Sequence, residues 1–128
     1  MAYGADVRRR FAAASRRSLD EADARVVTCV AEDRTLNVWI KFQLRVADSV
    51  IDQIGYEVFG CPETIAAASL MAERLEGRSI AATPDIDVHA IAAELSIPID
   101  KLGKLLRIED AIHACYRQAR TGGQEGKR

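Results

Sequence analysis

The chain predicts an α+β fold: an N-terminal helix, a three-stranded antiparallel meander, then helices packed on one face of the sheet. Three observations lead there. Leu36, Val38, Ile40, Phe42, Leu44 and Val46 alternate with Asn37, Trp39, Lys41, Gln43 and Arg45, the period of a strand with one buried face. A short polar turn, Ala47-Asp48-Ser49, separates this stretch from a second run rich in β-branched and aromatic residues, Val50 to Phe59. Beyond Pro62 the apolar residues change to helical spacing.

Taken in order, Asp6 to Arg17 reads as a helix, with Val7, Phe11 and Ala14 on one stripe and Arg8, Arg9, Arg10, Arg16 and Arg17 around it. These arginines faintly imitate an organelle transit peptide, but Asp6 and the docking stripe favour a helix with a solvated basic face. Ala24 to Ala31 is the first strand candidate, followed by a turn at Glu32-Asp33-Arg34. Short polar turns between successive strands imply an antiparallel meander. Pro62 suits the first position of the next helix, where its missing N–H has no partner to lose. Ile65, Ala68, Ala72 and Leu75 form its stripe, and Gly77 supplies a stop. Thr83-Pro84-Asp85 resets the chain. Val88, Ile91, Ala92 and Leu95 mark another helix, which Pro98 ends. Leu102, Leu105, Ile108, Ile112, Cys115 and Ala119 form the seam of the last helix. Residues 1–120 make one domain, and the polar stretch 121–128 reads as a flexible tail.

Composition narrows the function. A net charge of -1 gives no basic field of the kind that binds nucleic acid. The apolar runs are too short to cross a bilayer. Three cysteines at irregular spacing make no disulfide framework, so a reducing, cytoplasmic setting is expected. No nucleophile triad, phosphate loop or paired-carboxylate pattern is present, and the chain does not read as an enzyme.

The residue with chemical promise is Cys61, set between the strand ending at Phe59 and the helix opening at Pro62. A helix N-terminus stabilises a thiolate, the form required for sulfur chemistry and metal binding. The alternative is a small buried hydrophobe at a tight turn. Cys29 shares the parity of Val27 and Ala31, so it packs in the core unless the turn after its strand approaches Cys61. Cys115 belongs to the last helix's apolar seam. His89 and His113 have no partner at ligand spacing.

Gly60-Cys61 followed by Ile65-Ala66-Ala67-Ala68-Ser69 resembles the central cysteine motif of the iron–sulfur cluster scaffold family, IscU and the NifU N-terminal domain. Glu73 to Ser79, Ala93 to Pro98 and Ile108 to Ile112 resemble further family segments in the same order, and Val7 to Phe11 resembles its opening helix. The resemblance implies a non-enzymatic scaffold that accepts sulfur and iron and passes an iron–sulfur cluster, such as [2Fe–2S], to recipients, with iron or zinc as the simpler metal. It implies a cysteine desulfurase and cluster-recipient proteins as partners. It also implies Cys61 as ligand, with Asp33 and Cys29 as its candidate companions.

The chain departs from the pattern at the family's first cysteine, where Ala31-Glu32-Asp33-Arg34 stands, and at the third. Counted back from Glu109, that third position and the histidine before it hold Lys104 and Gly103. One secure thiolate cannot hold a cluster that takes four protein ligands. A homodimer joining two Cys61 residues, or a cluster shared with a recipient, would relieve the shortage. The competing expectation is an adaptor that keeps the fold, binds no metal, and docks a desulfurase or a recipient.

Overall fold

The computed structural model describes residues 18–82 and 84–125. Three strands, β1 (Val26–Asp33), β2 (Val38–Ala47) and β3 (Val50–Phe59), form an antiparallel sheet in the order β1-β2-β3. Three helices follow, α1 (Pro62–Leu75), α2 (Val88–Leu95) and α3 (Leu102–Glu125), with a 3₁₀ turn at Ile99–Lys101 before α3. The predicted α+β meander with helices after it is the observed architecture. The N-terminal helix expected over Asp6 to Arg17 lies outside the described residues.

The alternation in β2 sorts its side chains as expected. Ile40, Phe42 and Leu44 are fully buried, and Ile51 and Ile54 of β3 join them against the buried alanines of α1 and the seam of α3. Ala66, Ala67, Ala68 and Ala72 carry no bulk beyond Cβ, which lets α1 lie close on the sheet. Leu105, Ile108, Ile112 and Cys115 of α3 cover the other half of that face. Asp48 and Ser49 both take the left-handed conformation (φ 54° and 62°), as a two-residue hairpin between right-twisted strands requires. Past α1, Gly77 at φ 89° turns the chain back along β3, where its N–H donates to the Ile51 carbonyl at 2.7 Å.

Two boundaries differ from expectation. β1 continues through Glu32 and Asp33, residues read as a turn. Glu32 pairs with Trp39, and Asp33 closes the actual turn by accepting the Leu36 N–H at 3.1 Å, so charge at a strand end is accommodated rather than expelled. Helix α3 also runs on to Glu125, into the stretch read as a tail.

The face of the sheet away from the helices holds one fully buried polar side chain, Gln43. Its Oε1 accepts the Leu19 N–H at 2.8 Å, while Nε2 donates to the Leu19 carbonyl and the Thr28 hydroxyl, both at 3.2 Å. Gln43→Ala is expected to lower unfolding stability by about 2 kcal/mol in a denaturant titration, because it leaves Leu19's backbone groups without these partners. A loss below about 0.5 kcal/mol would mean that water replaces them.

Candidate functional site

Three chain segments meet at one end of the sheet. The Gly60-Cys61 turn leads from β3 into α1. The turn after β1 carries Asp33 and Leu36, and the start of α3 carries Gly103 and Lys104. Gly60 lies against Val38, the β2 residue paired with Asp33: a Cβ on Gly60 would stand 3.5 Å from Val38 Cγ2. Gly103 lies against Leu36, with only 3.2 Å between a Cβ there and Leu36 Cδ1. A larger residue at Gly103 would displace Leu36.

Cys61 is the N-cap of α1, in extended conformation (φ -78°, ψ 163°), with Pro62 at the first helical position. Its carbonyl accepts the Ile65 N–H at 3.2 Å. The sulfur is half-buried, 3.3 Å from the Thr64 hydroxyl and 3.9 Å from Lys104 Nζ. Burial pushes the thiol's pKa up. The Thr64 hydroxyl and backbone N–H, followed by the Lys104 and Lys101 ammonium groups, outweigh it and hold the pKa below the ordinary thiol value. Thiolate is therefore enriched at neutral pH.

Lys101 also forms an ion pair with Glu63 Oε1 at 2.8 Å, tying the first turn of α1 to the 3₁₀ turn before α3. Glu63 is only 4% exposed, so the ion pair is largely shielded from solvent on the carboxylate side. Thr64, Lys101 and Glu63 form no motif that marks them as site residues in the sequence. Thr64 carried a signal, since it stands three residues after the N-cap, at capping-box spacing. The two lysine contacts come from the segment that opens α3, far along the chain, and no local spacing announces them.

Exchanging Lys104 for methionine keeps the apolar stem and removes the charge. At neutral pH the variant is expected to react about fivefold more slowly with iodoacetamide at Cys61, with the rate–pH profile displaced upward. That factor corresponds to about 1 kcal/mol of attraction between unit charges 4 Å apart in a water-like dielectric. An unchanged profile would mean that the ammonium does not act on the sulfur.

The other candidates fall in different places. Asp33 shares the Cys61 end of the sheet. Cys29 lies four residues up β1, about 13 Å along the strand, in the row Cys29–Phe42–Tyr56. Its thiol donates to Gln118 Oε1 of α3 at 2.9 Å. The structure thus places Asp33 near the Cys61 turn and engages Cys29 with the middle of α3, because strand register carries Cys29 away from the sheet end. Among the described residues, no three Cys, His, Asp or Glu side chains converge as a metal site. His89 is exposed, and His113 contacts the Pro84 carbonyl at 3.2 Å. Trp39 lies on the outer face, its ring 5.5 Å from that of Phe59.

The NifU-like N terminal domain profile matches residues 5–121. The chain is 36% identical over 112 residues to the iron–sulfur cluster assembly scaffold protein IscU of Rickettsia prowazekii, covering 84% of this chain and 86% of that protein. It is 34% identical over 106 residues to the mitochondrial iron sulfur cluster assembly protein 2 of Saccharomyces cerevisiae, covering 81% and 68%. Among solved structures, the N-terminal part of a nitrogen-fixing NifU-like protein from Brucella abortus superposes with a TM-score of 0.70 at 18% identity, over 91% of this chain and 93% of that one. This last likeness bears on the fold. No helix among the described residues is long and apolar enough to cross a membrane.

Proposed function

The chain belongs to the NifU-like N-terminal domain family, and we propose that it serves as a scaffold in iron–sulfur cluster assembly, with Cys61 as the residue that takes up sulfur. The relatives' names support the scaffold role. The observation that carries the residue assignment is the thiol at the mouth of α1, flanked by the Thr64 hydroxyl and the Lys104 ammonium.

The chemistry follows from that setting. The Cys61 thiolate attacks the terminal sulfur of a persulfide presented by a cysteine desulfurase. One S–S bond forms at Cys61 as the donor's S–S bond breaks, and the electron pair leaves on the donor's cysteine as thiolate, with no net oxidation. Lys104 faces the attacking sulfur and offsets its negative charge before and after transfer. Thr64 offers a hydroxyl donor from the same turn of helix.

Iron and the cluster are cargo, and this chain's donors do not make a closed site for them. A [2Fe–2S] centre takes four protein ligands. Here Cys61 is the secure thiolate, Asp33 is the carboxylate at the same sheet end, and a cation stands beside the sulfur where a further thiolate would help. We therefore assign the missing donors to a recipient protein or to a second copy of the chain.

Anaerobic incubation with iron, L-cysteine and a desulfurase tests the proposal. It stands if Cys61 gains sulfur by mass and visible charge-transfer absorbance develops when a recipient is present. It falls if neither appears. The second reading, an adaptor that docks a desulfurase or recipient without binding metal, is favoured by Lys104 alone, since an ammonium repels metal cations. Stoichiometric iron or zinc in the protein as isolated would exclude it.

A further inference from the structure

We propose that Cys29 and Cys115 form a second, independent thiol site: a dithiol that a peroxide converts to a disulfide joining β1 to α3. The site lies away from the Cys61 end of the sheet and uses neither Lys104 nor Asp33. Cys29 is half-buried at a position open to small solutes, and its side chain faces α3, where it reaches Gln118 at 2.9 Å. Cys115 stands one helical turn before Gln118, fully buried, and donates to the Phe42 carbonyl at 3.3 Å. Phe42 is the residue paired with Cys29 across the strands. Both sulfurs therefore sit over the same rung of the sheet, one reached from solvent and one behind it.

Their chemistry divides accordingly. Contact with the neighbouring Cys115 thiol lowers the Cys29 pKa against the opposing effect of burial, and the Arg117 charge assists. The same contact, together with burial, pushes the Cys115 pKa far up, so it stays a thiol. Gln118 can serve either form of Cys29 by turning its amide, which carries both an acceptor oxygen and donor N–H groups.

The Cys29 thiolate attacks one oxygen of hydrogen peroxide, the O–O bond breaks, and hydroxide leaves, giving a sulfenic acid. With Cys29 now a neutral sulfenic acid, its charge no longer opposes loss of the Cys115 proton, and the Cys115 sulfur attacks the sulfenic sulfur as that proton passes to the leaving oxygen. The S–S bond forms as the S–O bond breaks, and the hydroxyl departs as water with the Cys115 proton. Peroxide is the two-electron oxidant, and the two thiols are oxidised together.

Tryptic cleavage isolates the three cysteines on separate peptides, 26–34, 46–74 and 108–117. The full chain, treated with a modest excess of hydrogen peroxide, alkylated under denaturing conditions and digested, is expected to yield peptide 26–34 disulfide-linked to 108–117. Free Cys29 and Cys115 should disappear in parallel. The linked pair should persist in Cys61→Ser, which separates this site from the sulfur-accepting one. In Cys29→Ser, a change at a half-buried surface position, Cys115 should remain alkylatable after the same treatment. The proposal is overturned if Cys29 proceeds to sulfinic acid while Cys115 stays free. It is equally overturned if links form only between chains or to Cys61, or if neither thiol is lost.

Discussion

Cys61→Ser is expected to abolish sulfur uptake from a desulfurase while leaving the fold as stable as before or more so. Serine keeps the size of the side chain but remains a neutral hydroxyl at physiological pH, so it offers no anion to attack a persulfide. As an N-cap, however, serine is among the preferred residues, and the Cys61 sulfur faces the Thr64 N–H without a formed capping hydrogen bond. The helix should therefore gain about 0.5–1 kcal/mol where the chemistry is lost. Two measurements on one sample settle it: intact mass after incubation with desulfurase and cysteine, and a denaturant titration. Sulfur retained by the serine variant at the parent level would remove Cys61 from the mechanism. A fall in stability of more than about 1 kcal/mol would show that the sulfur is a packing element after all.

The largest effect on stability is expected at Phe42. Its ring is fully buried in the middle of the central strand, 6.0 Å from the Tyr56 ring. Truncation to alanine removes that contact and leaves a cavity that strands on either side cannot close. The cost should be about 3–5 kcal/mol, a large share of the roughly 5–15 kcal/mol that holds a domain folded. Phe42→Leu, which refills most of the volume, should cost distinctly less. A thermal or denaturant midpoint for Phe42→Ala within error of the parent would contradict the central place given to this ring.

The meander was legible because β2 alternates without interruption and β3 is framed by a polar turn and by Gly60. The end of β1 is not legible, because Glu32-Asp33-Arg34 looks like a turn by composition. In the folded chain Glu32 pairs across to Trp39, and only Arg34 to Asn37 turn. Cys61 could be found because its setting is local, a strand end followed at once by Pro62. The placement of Cys29 is not local. Parity gave its face, but which part of α3 meets it depends on sheet register and on how the helix lies, neither of which residues 24–31 encode. Lys104 occupied a family ligand position when counted along the chain, and the structure puts its ammonium against the Cys61 sulfur. That contact joins residues 43 apart in sequence and has no periodicity to announce it.

The separation has a dynamic consequence. Thr64 stays with Cys61 through any motion of α1, but Lys104 and Lys101 belong to the segment that opens α3. A protein that pries this helix loose would withdraw the cations, make the thiol less acidic and quieten its reactivity without touching the sulfur. Trapping rates at Cys61 should then gauge how firmly the opening turn of the long helix is seated, falling when a bound partner draws Lys104 aside.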